Sequence, residues 1–227
     1  MEARLENVSG VPGEGQIRSR ERVRGLAEVY TDEREVEGML NLVPEMFPGA
    51  EDPGNTDRTF LEPACGHGNF LVAILARKLA FVTARRYGRG DRFEHRVLRC
   101  LGSIYGIDIC EENVVESRER MRALVDQHLA RQLKGDRPTR GFVGAVEAIL
   151  LTNLVCADTL VEAAEIELVE YRAGAGGTFV REWTRPLDPA AGDLSLLSLP
   201  ARRDEVPVHY AELGCLDEPT VAPQKAA

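Results

Sequence analysis

Apolar residues recur along the chain with two spacings, one typical of amphipathic helices and the other of short buried strands. The helical spacing first appears between Val36 and Val43, behind an N-cap predicted at Thr31 or Asp32. Further helices are predicted over four ranges: 69–87, 93–101, 111–133 and 142–151. Buried strands are predicted at three short apolar runs: 59–63, 103–109 and 153–158.

Helices separate the three predicted strands, and this order determines how the strands pair. Strands that are joined through helices run parallel, so the pattern predicts an α/β fold with a wound, mostly parallel sheet. The pattern changes after residue 160, because two runs at 166–171 and 178–183 flank a glycine-rich loop. These runs predict an antiparallel hairpin within an abbreviated second half, followed by a short strand near 206–210.

The length of the chain favours one domain with tails over two full domains. Its 227 residues are 44% apolar, which is enough for a single core. Residues 1–21 are polar and contain three glycines, so we predict a flexible N-terminal arm. We predict a single domain over residues 22–212 and a disordered tail over residues 213–227.

Charge and cysteine content exclude several classes of protein. The chain has 37 acidic and 28 basic side chains, a net charge of −9, which excludes an overall basic nucleic-acid coat. Six cations between Arg77 and Arg92 form either a phosphate-facing stripe or a solvated helix face. The five cysteines form no CxxC pair or Cys/His cluster, so we expect no zinc site and a reducing cytoplasm. No apolar run of about 18 residues predicts a membrane span.

Each of the three predicted parallel strands ends in an acid: Glu62, Asp108 and Asp158. The carboxyl ends of parallel strands share one edge of a sheet, which is where ligands bind in such folds. Gly66 and Gly68 follow the first strand but lack the third glycine of a dinucleotide-binding turn. An acid before the turn would repel a diphosphate, so the pattern favours a ligand with a cationic or neutral head.

Four segments together resemble the class I S-adenosylmethionine-dependent DNA methyltransferases, specifically the adenine-N6 group. FLEPACGHGNFL looks like the first cofactor motif of that group, YGIDI like the second and NLVCADTL like the third. GLAEVYTDEREVEGML is similar to the segment that packs over the cofactor. The resemblance covers roughly residues 22–160, and it implies a Rossmann-like methyltransferase sheet that binds S-adenosylmethionine.

The resemblance also implies roles for individual residues. Tyr30 and Thr31 would line the methionine and ribose side of the cofactor. Asp108 would hold the ribose, Ile109 would pack on the adenine face, and Asp158 would contact the adenine amino group. The methionine pocket would be formed by four residues: Glu62, Ala64, Gly66 and Gly68.

Three departures from the family pattern affect the functional prediction. Asp32 replaces the usual proline, and His67 replaces a small hydroxyl residue. The Asn/Asp-Pro-Pro-Tyr/Phe tetrad that holds the flipped target base is missing, so the catalytic residues are unknown. The leading hypothesis is methyl transfer to adenine N6 in DNA, in restriction–modification or phage defence, with DNA contacted weakly or through a partner subunit. The alternatives are a non-catalytic S-adenosylmethionine-binding subunit and a small-molecule methyltransferase.

Individual side chains near these motifs allow two interpretations each. Cys65 is either a small packing residue or a nucleophile, and His67 is either a solvent-facing loop residue or a general base. Trp183, in the predicted hairpin, is either a core anchor or a surface on which a base stacks. In each case the sequence favours the first, structural interpretation.

Overall fold

The computed structural model of the chain describes residues 31–186, residue 200 and residues 202–216. The predicted arm at 1–21 and the predicted site residue Tyr30 lie outside the described residues. Within them, the chain contains a three-stranded parallel sheet and a separate antiparallel sheet. The α/β class predicted from the sequence is therefore confirmed.

The helices of the described residues follow the predicted order. The first begins at the predicted cap, because Asp32 accepts the Arg34 N–H while Glu35 accepts the Asp32 N–H, which closes a capping box. No helix in this part of the chain combines the length and the apolar character needed to cross a membrane. In chain order the α-helices are α1 (Glu33–Leu40), α2 (Asn69–Leu79), α3 (Ala84–Tyr87), α4 (Asp91–Gly102), α5 (Glu111–Leu133) and α6 (Phe142–Asn153), with 3-10 helices at Pro44–Met46 and Tyr210–Cys215.

The parallel sheet contains β1 (Phe60–Glu62), β2 (Ile104–Asp108) and β3 (Leu154–Cys156). β2 lies in the centre and pairs in parallel with both neighbours. Helices α2, α3 and α4 connect β1 to β2, and α5 and α6 connect β2 to β3. The crossovers therefore leave all three strands pointing the same way, and their carboxyl ends lie at one edge.

The predicted hairpin is present, but it belongs to a sheet of its own. β4 (Leu168–Ala173) pairs antiparallel with β5 (Thr178–Thr184). β5 also pairs with two short strands from late in the chain, β6 (Arg202–Arg203) and β7 (Val208–His209). The second half is thus a separate antiparallel layer instead of an extension of the parallel sheet.

The two sheets share one hydrophobic core. Ile104 lies in the main core cluster, which also contains Phe179 of β5 and Leu213 of the last 3-10 helix. Tyr105 and Ile107 of β2 belong to a smaller cluster on the opposite face of the sheet. This alternation follows from the period of two along a strand, and it joins the parallel and antiparallel halves into one packed unit.

The predicted helix at 69–87 is wrong in its second half. α2 ends at Leu79, and the separate helix α3 begins at Ala84. Val82 between them is fully buried, and its carbonyl oxygen lies 2.7 Å from Nε2 of His128. Thr83 then caps α3 by accepting the Arg86 N–H. The helix is interrupted here because Val82 packs into the core and Thr83 caps the start of a new helix.

Two other boundaries differ from the prediction. β3 covers three residues instead of six and is buried only at Leu154, because it lies at the edge of its sheet. The predicted tail at 213–227 begins too early, since the 3-10 helix continues to Cys215 and Leu213 is buried. The folded part therefore includes residues 213–216, and the remainder of the predicted tail lies outside the described residues.

Candidate functional site

The loops that follow the three parallel strands meet at the carboxyl edge of the sheet. β1 ends at Glu62, β2 ends at Asp108, and Asp158 follows two residues after β3. The Thr159 hydroxyl donates a hydrogen bond to the Pro63 carbonyl oxygen at 3.3 Å, which joins the loops after β3 and β1. The three acids singled out in the sequence thus lie along one edge.

The glycine turn after β1 is held in a conformation that side chains disfavour. Gly66 has a φ of 53° and Gly68 a φ of 89°. A Cβ atom at Gly68 would lie 2.8 Å from the Cβ atom of Ser117 on α5. The turn therefore packs directly against α5, and only glycine fits at position 68.

Asp108 fastens this turn to the start of α5. Its Oδ2 atom accepts the Gly66 N–H at 2.8 Å. Its Oδ1 atom accepts the Cys110 N–H at 2.9 Å and the Asn113 side-chain amide at 3.2 Å. The carboxylate is only 9% exposed. A ligand hydroxyl would therefore join a carboxylate that already accepts three hydrogen bonds and orders the loops around it.

Glu62 offers a more accessible carboxylate at the same edge. It is half-buried, and its Oε1 atom accepts the N–H of the exposed Ala64 at 3.2 Å. Its Oε2 atom has no partner among the described residues. Burial raises the pKa of Glu62, and the hydrogen bond from Ala64 opposes part of that shift. A cationic ligand group beside Oε2 would favour the ionised form.

Asp158 and its neighbours form the third part of the edge. Its Oδ1 atom accepts the N–H groups of Leu160 at 2.9 Å and Val161 at 3.3 Å, so the side chain orders its own turn. Ile109, directly after β2, is 55% exposed, and Leu160 is 94% exposed. The edge therefore combines carboxylate oxygens with apolar surface onto which a flat ring could pack.

A hydrogen-bonded chain connects the glycine turn to the segment before α1. The Asn69 side-chain amide donates to the Thr31 carbonyl oxygen at 2.9 Å, and its Oδ1 atom accepts from Arg120 at 3.0 Å. Arg120 also donates to the His67 carbonyl oxygen at 2.7 Å. Thr31 thus lies beside the turn. Sequence reasoning missed Asn69 and Arg120, although Asn69 follows Gly68 directly.

The turn also contains the two side chains for which a direct chemical role was considered, Cys65 and His67. Cys65 is 7% exposed, and burial, together with the charges of Asp108 and Glu62, raises its thiol pKa to about 12. The thiol therefore stays protonated, and Cys65 is a packing residue. His67 is half-buried, whereas a solvent-facing position was predicted. Among the described residues, no group of three or more His, Cys, Asp or Glu side chains could hold a metal ion.

Two further side chains take structural positions. Trp183 is 5% exposed and lies between the guanidinium groups of Arg181 and Arg202, each 4.9 Å from its ring, so it is a core anchor. Lys78 was grouped with surface cations but is fully buried. Its position four residues after Ile74 on the apolar face of α2 is the signal that could have placed it inside.

Comparisons with known proteins give no external assignment. No family model matches the chain, and neither a curated protein nor a solved structure matches it. The described residues define an α/β protein with a three-stranded parallel sheet and a separate antiparallel sheet. Any specific function must therefore be argued from the side chains at the carboxyl edge of the parallel sheet.

Proposed function

We propose that the chain is an S-adenosylmethionine-binding, methyltransferase-like protein of DNA modification, with methyl transfer to adenine N6 as its reaction. The observation that carries this proposal is the meeting of Glu62, Asp108 and Asp158 at one edge beside a positive-φ glycine turn. Such an edge is the usual ligand site of a wound parallel sheet. The four motif segments of the sequence add the chemical identity of the ligand.

The side chains at the edge fit the parts of this cofactor. The unpartnered Oε2 atom of Glu62 suits its cationic amino-acid end, and the glycine turn allows close backbone approach. Asp108 suits the ribose hydroxyls, Ile109 provides apolar surface for the adenine ring, and Asp158 suits the adenine amino group. When bound, the sulfonium supplies an activated methyl group, so the chain's contribution is orientation and exclusion of water.

The charge of the edge bears on how DNA would be contacted. The first turns of α5, which begins three residues after the end of β2, carry three more acids, Glu111, Glu112 and Glu116, on one surface. Such a surface repels phosphates. The proposal therefore includes a partner subunit that supplies DNA contacts and the missing base-holding tetrad. The second candidate, a non-catalytic cofactor-binding subunit, is favoured by the same acidic surface.

The five free cysteines support a location for the protein. All five thiols are unpaired, and those of Cys156 and Cys215 are exposed. Exposed, unpaired thiols persist best in a reducing environment. We therefore place the protein in the cytoplasm.

Calorimetric titration with S-adenosylmethionine tests the proposal. We expect saturable binding by the wild type and a loss of at least about 10-fold in affinity for Asp158→Asn, because a charged acceptor is removed. Glu212→Gln removes one exposed carboxylate from the last 3-10 helix, which carries none of the edge residues, and should bind like the wild type. Absence of binding by the folded wild type, or equal weakening by both variants, would overturn the proposal.

A transfer assay then separates the two candidate functions. The protein is incubated with S-adenosylmethionine labelled in its methyl group and with unmethylated DNA, and the label in adenine is measured. Label in DNA with wild type but not Asp158→Asn identifies the enzyme. Binding without transfer by the chain alone identifies a cofactor-binding subunit whose catalytic groups come from its partner.

A further inference from the structure

A groove on a different face of the molecule lies between α4 and the turn that joins β4 to β5. It has a volume of about 320 Å³ and is lined by side chains of α4 and by Gly176 and Gly177 of the turn. Arg92, Arg96 and Arg99 follow one another along this wall at intervals of four and three residues, which places them on one face of the helix. The groove therefore has a cationic wall.

The three arginines differ in the hydrogen bonds and ion pairs that they already form within the protein. Arg99 pairs with the carboxylate of Asp57. Arg96 donates to the Thr56 hydroxyl at 2.9 Å, and its guanidinium lies 5.1 Å from the centre of the Tyr87 ring. Arg92 is exposed and has no hydrogen-bond or ion-pair partner among the described residues. Arg92 is thus the side chain that can turn toward a ligand, while Arg96 and Arg99 are held by contacts within the protein.

The opposite wall offers backbone donors. The N–H groups of Gly176 and Gly177 have no acceptor among the described residues. Both glycines have positive φ, at 64° and 79°. A Cβ atom at Gly176 would meet nothing within 4 Å, whereas one at Gly177 would lie 2.8 Å from Nε2 of His209. Consecutive unpaired N–H groups in a glycine turn can bind the oxygens of an anion.

The remaining titratable groups of the groove leave it positive. Two carboxylates oppose the three arginines: Asp57, which pairs with Arg99, and Asp91, which accepts the Tyr210 hydroxyl at 3.0 Å. His95 is buried, and burial lowers its pKa to about 4, so it is neutral and donates from Nε2 to the Thr178 carbonyl oxygen. Cationic neighbours continue onto α3 through Arg85 and Arg86, whereas Arg89 in the following loop pairs with Asp136. This face is therefore basic within a chain whose net charge is −9.

We propose that this groove binds a phosphate group between the Arg92 guanidinium and the backbone N–H groups of Gly176 and Gly177. A guanidinium and paired amides are the donors that phosphate oxygens accept most favourably. The phosphate can come from a nucleic-acid backbone or from a free phosphate. The site does not involve the carboxyl edge of the parallel sheet, so it does not depend on cofactor binding there.

The test uses two probes and no cofactor. Uniformly ¹⁵N-labelled protein is titrated at low salt with inorganic phosphate and, separately, with a fluorescent 12-base-pair duplex whose affinity is also followed by anisotropy. We expect the amide signals of Gly176 and Gly177 to shift with both probes, or with the duplex alone if the backbone is the natural source. Arg92→Gln should weaken binding at least about 5-fold and reduce the salt dependence of duplex binding by about one phosphate contact.

Arg122→Gln is the matched control. It removes the same charge from an exposed, ion-paired position on α5 and should leave both titrations unchanged. Binding of phosphate alone would assign the groove to a free anion, and binding of the duplex alone would assign it to nucleic acid. The proposal is overturned if neither probe moves the two glycine signals, or if both variants weaken binding equally.

Discussion

The two halves of the molecule place their charged groups in opposite ways. In the antiparallel half, Arg181 and Asp204 form an ion pair whose side chains are 4% and 0% exposed, and Arg181 also donates to the Leu216 carbonyl oxygen. At the carboxyl edge of the parallel half, Glu62 and Asp158 are half-buried. Charges inside the antiparallel half therefore stabilise the fold, whereas carboxylates at the edge stay available to a ligand.

The largest effect should come from breaking the buried ion pair. In Asp204→Ala the Arg181 guanidinium is left buried without its carboxylate, so we expect unfolding free energy to fall by about 3–5 kcal/mol. Urea unfolding followed by circular dichroism measures the loss. The control is Arg89→Gln, whose arginine is 49% exposed and pairs with Asp136, which is 61% exposed. The control should cost under about 1 kcal/mol. Similar losses in both variants would contradict the comparison.

Lys78 tests whether the parallel half contains a comparable internal charge. Its Nζ atom donates to the carbonyl oxygens of Thr56 and Arg58 and to the Ser103 hydroxyl. Lys78→Met removes the donor of these three buried hydrogen bonds, so we expect a loss of about 2–3 kcal/mol in unfolding free energy. Urea unfolding measures it.

The same lysine predicts a pH dependence of stability. Burial lowers its pKa from 10.5 to about 8 in the folded state, so the unfolded chain binds more protons between those values. The contribution of Lys78 to stability should therefore increase as pH rises from about 8 toward 10.5. Lys78→Met should lack this component. Identical pH profiles for the wild type and the variant would contradict an internal ammonium group.

Glu62 tests whether the edge acids act on a ligand. Its pKa is raised by burial, so the carboxylate becomes neutral at a higher pH than an ordinary glutamate does. We expect the affinity for S-adenosylmethionine to fall as pH decreases through that raised pKa, because a neutral carboxyl attracts a cation weakly. Glu62→Gln should bind about 10-fold more weakly at neutral pH.

The pH profile distinguishes this role from a structural one. Calorimetric titrations at several pH values should show a flat profile for Glu62→Gln and an unchanged profile for the control Glu212→Gln. A steep profile that persists in Glu62→Gln would assign the pH dependence to another group.

The smallest effect is expected at the link between the edge and the segment before α1. Asn69→Ala removes the hydrogen bond to the Thr31 carbonyl oxygen, so cofactor affinity should fall by about 3-fold, the value of one such bond. Hydrogen exchange should accelerate around residues 31–35 and stay unchanged in α5. Unaltered exchange around Thr31 would show that the bond does not restrain this segment.

The sequence predicted regular elements well where periodicity was strong and uninterrupted. The helix at 111–133 matches α5 at both ends, and the strand ends at Glu62 and Asp108 fall at the predicted acids. The break between α2 and α3 was missed because Val82 continues the apolar spacing, although it packs outside any helix. A pattern of apolar positions does not distinguish a continuous helix from two helices that share a core.

The sequence predicted which acids lie at the carboxyl edge, but not the hydrogen bonds that they form there. Strand order and spacing identified Asp108, but its bond to Gly66, 42 residues earlier in the chain, depends on tertiary packing. The same holds for Arg120, which reaches the turn from the middle of α5. The groove beside α4 could not be predicted from the sequence, because one wall comes from the hairpin turn and the other from a helix about 80 residues earlier.

The position of Tyr210 has a consequence for how the chain acquires its structure. Its hydroxyl contacts Glu94 and Asp91, which are 116 and 119 residues away in sequence. Loops of that length close slowly, because the search entropy must be overcome before the contact forms. During synthesis, helix α4 therefore lacks its contacts with Tyr210 until that residue has left the ribosome. We expect the antiparallel layer to dock late, onto a parallel half whose local helices have already formed.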